Sequence, residues 1–187
     1  MIRNGFLALI VLLLFAGGCD ERGGEGVSDG GRSSPSQDVV ELDWEALIPA
    51  DWSPEKLLAD FNADELSDDD PRAIELMDRL RALWREAPVV SELAGQRVRL
   101  PGFVVPLDME SDAIAEFLLV PYYGACIHVP PPPANQTVHV ITERGREFRG
   151  GLFDTVWVTG TISVEHSSSE LADAGYRILG ASVEPYE

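Results

Sequence analysis

Thr155-Val156-Trp157-Val158-Thr159-Gly160-Thr161-Ile162-Ser163-Val164 is the most strongly patterned run in the chain. Val156, Val158, Ile162 and Val164 fall on one face of an extended backbone, a period of two that marks a half-buried strand. Gly160 shares that face, where it predicts a bend. Downstream, Tyr176 to Val183 reads as another strand, with Gly180 shifting its phase. Upstream, Thr137 to Ile141 alternates Val138 and Val140 with Thr137 and His139, and Glu116 to Val120 reads as a buried strand. Arg97 to Val105 alternates charged and apolar residues and breaks at Pro101-Gly102, as a bulge would. Short strands with glycine-marked bends predict a mainly β protein, a small five-stranded OB-like barrel over residues 95–187.

Residues 39–94 read as a helical segment packed on that barrel. Val40, Leu42, Trp44, Leu47 and Ile48 make a first apolar cluster. Ser53-Pro54-Glu55 has the form of a helix start, with Leu57, Leu58 and Phe61 on its inner face. A second start lies at Asp68-Asp69-Asp70-Pro71, where three carboxylates meet the positive end of the helix dipole. Ile74, Met77, Leu80, Leu83 and Trp84 then recur at helical spacing, opposite Glu75, Asp78, Arg79, Arg81 and Arg85, and Pro88 ends the run. The arginine-bearing face reads as a solvated surface.

The N-terminus reads as an export signal. Arg3 precedes an unbroken apolar run from Phe6 to Phe15, too short for a spanning helix, which needs about 20 residues, but suited to a signal-peptide core. Ala16-Gly17-Gly18-Cys19 resembles a bacterial lipobox. Residues 1–18 are therefore expected to be removed and Cys19 to carry lipid. Residues 20–38 are rich in Gly and Ser and form a tether spanning on the order of 25 Å as a random coil. The expected location is the bacterial envelope, lipid-anchored and facing the periplasm, with Asp20 pointing to the inner membrane.

Composition narrows the partners. Fourteen Lys+Arg stand against 32 Asp+Glu, a formal charge of −18, which argues against nucleic acid because like charges repel. A hydrophobic content of 45% excludes a wholly disordered chain.

Between the second and third strands runs Val120-Pro121-Tyr122-Tyr123-Gly124-Ala125-Cys126-Ile127-His128-Val129, then Pro130 to Pro133 and Ala134-Asn135-Gln136. Together with Gly102-Phe103-Val104-Val105-Pro106-Leu107-Asp108 and Val156-Trp157-Val158-Thr159-Gly160, this segment resembles a bacterial envelope family catalogued as domain of unknown function 3299. The resemblance spans roughly residues 95–185. It implies an envelope protein whose relatives accompany transporter components linked to zinc handling.

The residues carry their own chemistry. With Cys19 committed to lipid, Cys126 is the one thiol of the mature domain, so it forms no internal disulfide. In an extended segment, Cys126 and His128 point to one side with Cα atoms about 6.5–7 Å apart. Thiolate and imidazole could then converge on zinc, or less favourably copper. His139 and Asp108 are the expected further ligands, Glu110 and Asp112 offering the same donor type. Tyr122 and Tyr123 would wall the site, Asn135 and Gln136 would orient ligands, and Pro130, Pro131, Pro132 and Pro133 would form a stiff polyproline support. The alternative for Cys126 is packing as a small hydrophobe. A Cys–His nucleophile has the least support, because no cation stands in the segment to lower the thiol pKa.

Two functions follow. The first is a membrane-tethered metal-binding or metal-delivery accessory to an envelope transporter. The second is a non-catalytic adaptor docking through the Tyr-Cys-His-Pro loop, a role that pre-ordered polyproline segments serve. Neither makes the protein an enzyme.

Overall fold

The computed structural model describes residues 38–53 and 70–187. The signal, Cys19, the tether and the helix expected from Ser53 lie outside the described residues. Six strands form one sheet: β1 (Val40–Glu41), β2 (Arg97–Pro106), β3 (Glu116–Val120), β4 (Val138–Thr142), β5 (Thr155–Ser168) and β6 (Asp173–Pro185). Their order is β1-β2-β3-β4-β6-β5, and β5 pairs back onto β2. That last pairing closes a five-stranded OB-like barrel and leaves β1 as an added strand. β4 and β6 run parallel; the other barrel pairs are antiparallel.

Closure depends on β2 changing partners midway. Residues Arg97 to Phe103 pair with β5, while Phe103 to Pro106 pair with β3. The expected bulge at Pro101-Gly102 is absent: Pro101 faces Trp157 and Gly102 faces Val156 in unbroken register. Glycine is needed at 102 for a different reason. A Cβ there would lie 2.8 Å from Leu119 Cγ and 2.9 Å from the Val120 carbonyl oxygen, so β3 can cross this closely only over a bare backbone. β1 runs parallel along the half of β2 that β3 leaves open, pairing Val40 with Val98 and Glu41 with Arg99.

The irregularities at Gly160 and Gly180 appear as expected. The β5–β6 register jumps between Thr159 and Thr161, and Gly180, at φ +60°, is skipped where β6 shifts against β4. Both hairpin strands outrun the sequence pattern. β5 continues past Val164 through Glu165 and His166, because its polar end stays paired with Ala174 and Asp173.

Val98, Leu100, Val104, Phe117, Leu119, Val138, Val140, Val156, Val158, Ile162, Tyr176 and Ile178 fill the barrel. Leu42 and Leu47 join that core from the N-terminal segment. The intervening residues Val105, Leu118 and Val120 face a second buried cluster with Ala125, Phe153, Ala172 and Ala174. β3 is therefore apolar on both faces, which is why its sequence reads as a continuous hydrophobic run.

Helix α1 spans Pro71–Arg85. Asp70 caps it, accepting from the Arg72 N–H at 2.8 Å, and Pro71 occupies the first turn. Its buried residues are Leu76 and Leu80; Ile74, Met77 and Leu83, expected inside, are exposed. The inward stripe is thus narrower and rotated from the one that the apolar spacing suggested. Arg79–Glu75 and Arg81–Asp78 ion pairs lie along the exposed side, as the charge pattern predicted. Among the described residues, no helix is long and apolar enough to cross a membrane.

Candidate functional site

The Tyr-Cys-His-Pro segment is wound, not extended. The N–H groups of Ile127, His128 and Val129 all point to the Gly124 carbonyl, at 3.4, 2.8 and 3.1 Å. Gly124 has φ +86° and Cys126 φ +68°, and Ala125 bridges to Val129. This turn removes the expected side-by-side projection of Cys126 and His128, because the two-residue repeat exists only in extended backbone.

Cys126 is half-buried and packs on the second cluster beside Val105, Leu118 and Val120. Burial pushes its thiol up to about 11, the reverse of what a nucleophile or ready ligand requires. Tyr122 lies against it: burial, with a smaller contribution from Cys126, raises the phenol pKa. The Tyr122 hydroxyl also donates to the Pro130 carbonyl at 3.3 Å.

His128 and Tyr123 both lean on Phe153, with ring centroids 5.8 and 4.7 Å away, and Phe103 meets Tyr123 edge-on at 6.1 Å. Phe153 is buried and has φ +64°. Among the described residues, Cys126 and Phe153 are the non-glycine positions with positive φ, a conformation that clusters at functional sites. Sequence reading missed Phe153. Its signal was Gly150-Gly151 directly ahead of an apolar pair, a turn followed by an anchor.

The other expected ligands lie elsewhere. Asp108 is exposed at the end of β2, where its carboxylate accepts from the Glu110 N–H at 3.0 Å. His139, expected as a further ligand, is buried on β4, between Ser167 Oγ (3.4 Å from Nδ1) and Glu116 Oε2 (3.5 Å from Nε2). Burial first and the Arg177 charge second lower its pKa, against the opposing pull of Glu116 and Glu165. Among the described residues, no three His, Cys, Asp or Glu side chains converge as a metal would require. The set of Cys126, His128, His139 and Asp108 is not assembled, and it does not fit a resident zinc or copper.

Asn135 and Gln136 act as structural ties. Asn135 is fully buried and donates to the Pro88 carbonyl at 2.9 Å; Gln136 donates to the Trp44 carbonyl at 2.7 Å. They pin the end of the polyproline run to the N-terminal segment. Pro132 is buried and Pro133 half-buried, while Pro130 and Pro131 are exposed. The result is a rigid loop presenting apolar side chains to solvent: Tyr123 is 67% exposed, and Tyr122, Ile127 and Val129 are exposed beside it.

Comparison with known proteins follows the same segment. A family model described as "Protein of unknown function (DUF3299)" matches residues 44–185. The crystal structure of a DUF3299 family protein from Pseudomonas aeruginosa PAO1 is 41% identical, with a TM-score of 0.56, covering 80% of this chain and 97% of its own. No curated protein matches. With the match running from Trp44 through the wound loop to the end of β6, the chain belongs to the DUF3299 family.

Proposed function

We propose that the protein is a non-catalytic docking module of the bacterial envelope, tethered through lipid on Cys19 and engaging an envelope protein complex through its wound loop. The observation that carries this reading is the exposed patch of Tyr122, Tyr123, Ile127 and Val129. Ile127 and Val129 sit on a turn whose three N–H groups converge on the Gly124 carbonyl. Contiguous exposed apolar groups on a rigid frame favour association, since little ordering entropy remains to be lost on binding. The raised Cys126 thiol and the absence of a converging ligand set among the described residues support docking over thiol chemistry or metal delivery. A transporter is the partner class that the family resemblance suggests.

The test is co-purification from membranes with Tyr123→Ala and Ile127→Asp. Tyr123→Ala removes the ring contacts to Phe153 and Phe103 and should cost about 0.5–1.5 kcal/mol for each, so intact folding is checked by melting in both variants. Loss of the same partner in both variants is expected. Unchanged recovery with intact folding would refute the loop as the contact. Metal analysis of the parent separates the two functions: stoichiometric zinc lost with Cys126→Ser would favour metal delivery.

A further inference from the structure

A groove of about 620 Å³ opens beside the loop. One wall is Glu41, Asp43, Trp44 and Glu45 from the N-terminal segment; Pro101 and Trp157 contribute from the barrel; Pro121, Tyr122, Pro132 and Pro133 complete it. Two contacts fix its shape: the Trp44 indole N–H donates to the Pro101 carbonyl at 2.8 Å, and Gln136 donates to the Trp44 carbonyl. The lining combines three aromatic rings and three carboxylates with no Lys or Arg.

We infer that this groove takes an extended, Arg- or Lys-bearing segment of a partner protein. Aromatic faces and carboxylates together favour a cation. The chain shows the same pairing next to the groove, where the Arg99 guanidinium lies 4.1 Å over the Trp157 ring and within 3.6 Å of Glu41 and 3.8 Å of Glu184; Trp157 also stacks on Tyr186 at 5.2 Å, so Trp44 and Tyr122 are the rings left for a ligand. Glu41 is shared with Arg99, so Asp43 and Glu45 carry the remaining charge. The space exceeds what a lone ion needs and falls in the range of about 300–1,000 Å³ typical of ligand pockets. Four prolines line it and offer no N–H, so strand addition is disfavoured, whereas aromatic–proline walls suit a polyproline-type or extended peptide. The net charge of −18 draws such a segment in. The inference deepens the docking reading and rests on it.

The experiment is titration of the full-length protein with a labelled alternating Arg-Pro peptide, beside its Glu-Pro and Ala-Pro counterparts and choline. Saturable binding of Arg-Pro alone is expected, weakened about tenfold or more, or over 1.4 kcal/mol, in the near-isosteric Asp43→Asn/Glu45→Gln variant. Unchanged melting should accompany the variant. Equal affinity for parent and variant, or no binding, would overturn the inference, as would binding of choline in place of the peptide. Partner recovery through Tyr123 is read separately. If it persists while Arg-Pro binding fails, the groove assignment falls and the docking reading stands.

Discussion

At the residue scale, three positions make sharp predictions. Gly102→Ala places a methyl group into Leu119 and the Val120 carbonyl, and should cost about 1–3 kcal/mol in urea unfolding, in line with overpacking elsewhere. Cys126, with its thiol pushed up to about 11, should alkylate at pH 8 on the order of a hundredfold more slowly than an ordinary cysteine, since the thiolate reacts. This is measured with Cys19→Ser, so that one thiol remains. His139 predicts a pH dependence. Its folded pKa lies below 6.5, so the unfolded chain binds the proton first as pH falls. Stability is fully present above about pH 6.5 and is lost as pH drops through the depressed folded value. Melting temperatures at pH 7.5 and 5.5 should therefore diverge more in the parent than in His139→Gln. A parent whose melting does not fall on acidification would count against this account of the buried imidazole among Ser167, Glu116, Glu165 and Arg177.

At the element scale, the strands were legible because alternation survives in both faces of a barrel. Glu116–Val120 was read to the residue, and the shifts at Gly160 and Gly180 were visible as glycines on an apolar face. The loop was less legible. Its residue types were evident, but its winding around Gly124 depends on Cys126 adopting a left-handed backbone, which no local pattern encodes for a non-glycine residue. His139 misled for a related reason: period two placed it on the outer face correctly, but Ser167 at the long end of β5 covers that face. Trp157 was recoverable, since it alternates with the inward Val156 and Val158. Between elements, the buried Tyr176 hydroxyl donates to the Leu47 carbonyl at 2.8 Å and accepts from the Val90 N–H at 2.6 Å, tying β6 to the segment before the barrel. Tyr176→Phe leaves two backbone groups unpaired and should cost about 1–3 kcal/mol in chemical denaturation. A loss well under that would mean that the tie is dispensable.

At the scale of the whole domain, the barrel supplies rigidity and the inserted loop supplies the surface. The second buried cluster exists because β3 is apolar on both sides, and it gives the loop something to pack against. Cys126 belongs to that packing. The polyproline run then connects the patch to the N-terminal wall through Asn135 and Gln136. Docking through this face is most directly tested by placing a photo-crosslinking amino acid at Tyr123 in living cells, with Arg146, exposed on the β4–β5 connection, as the comparison site. One discrete envelope adduct at Tyr123, absent at Arg146 and lost when Ile127→Asp is added, is the predicted result. No adduct at Tyr123, or the same adducts from both positions, would contradict docking through the wound loop.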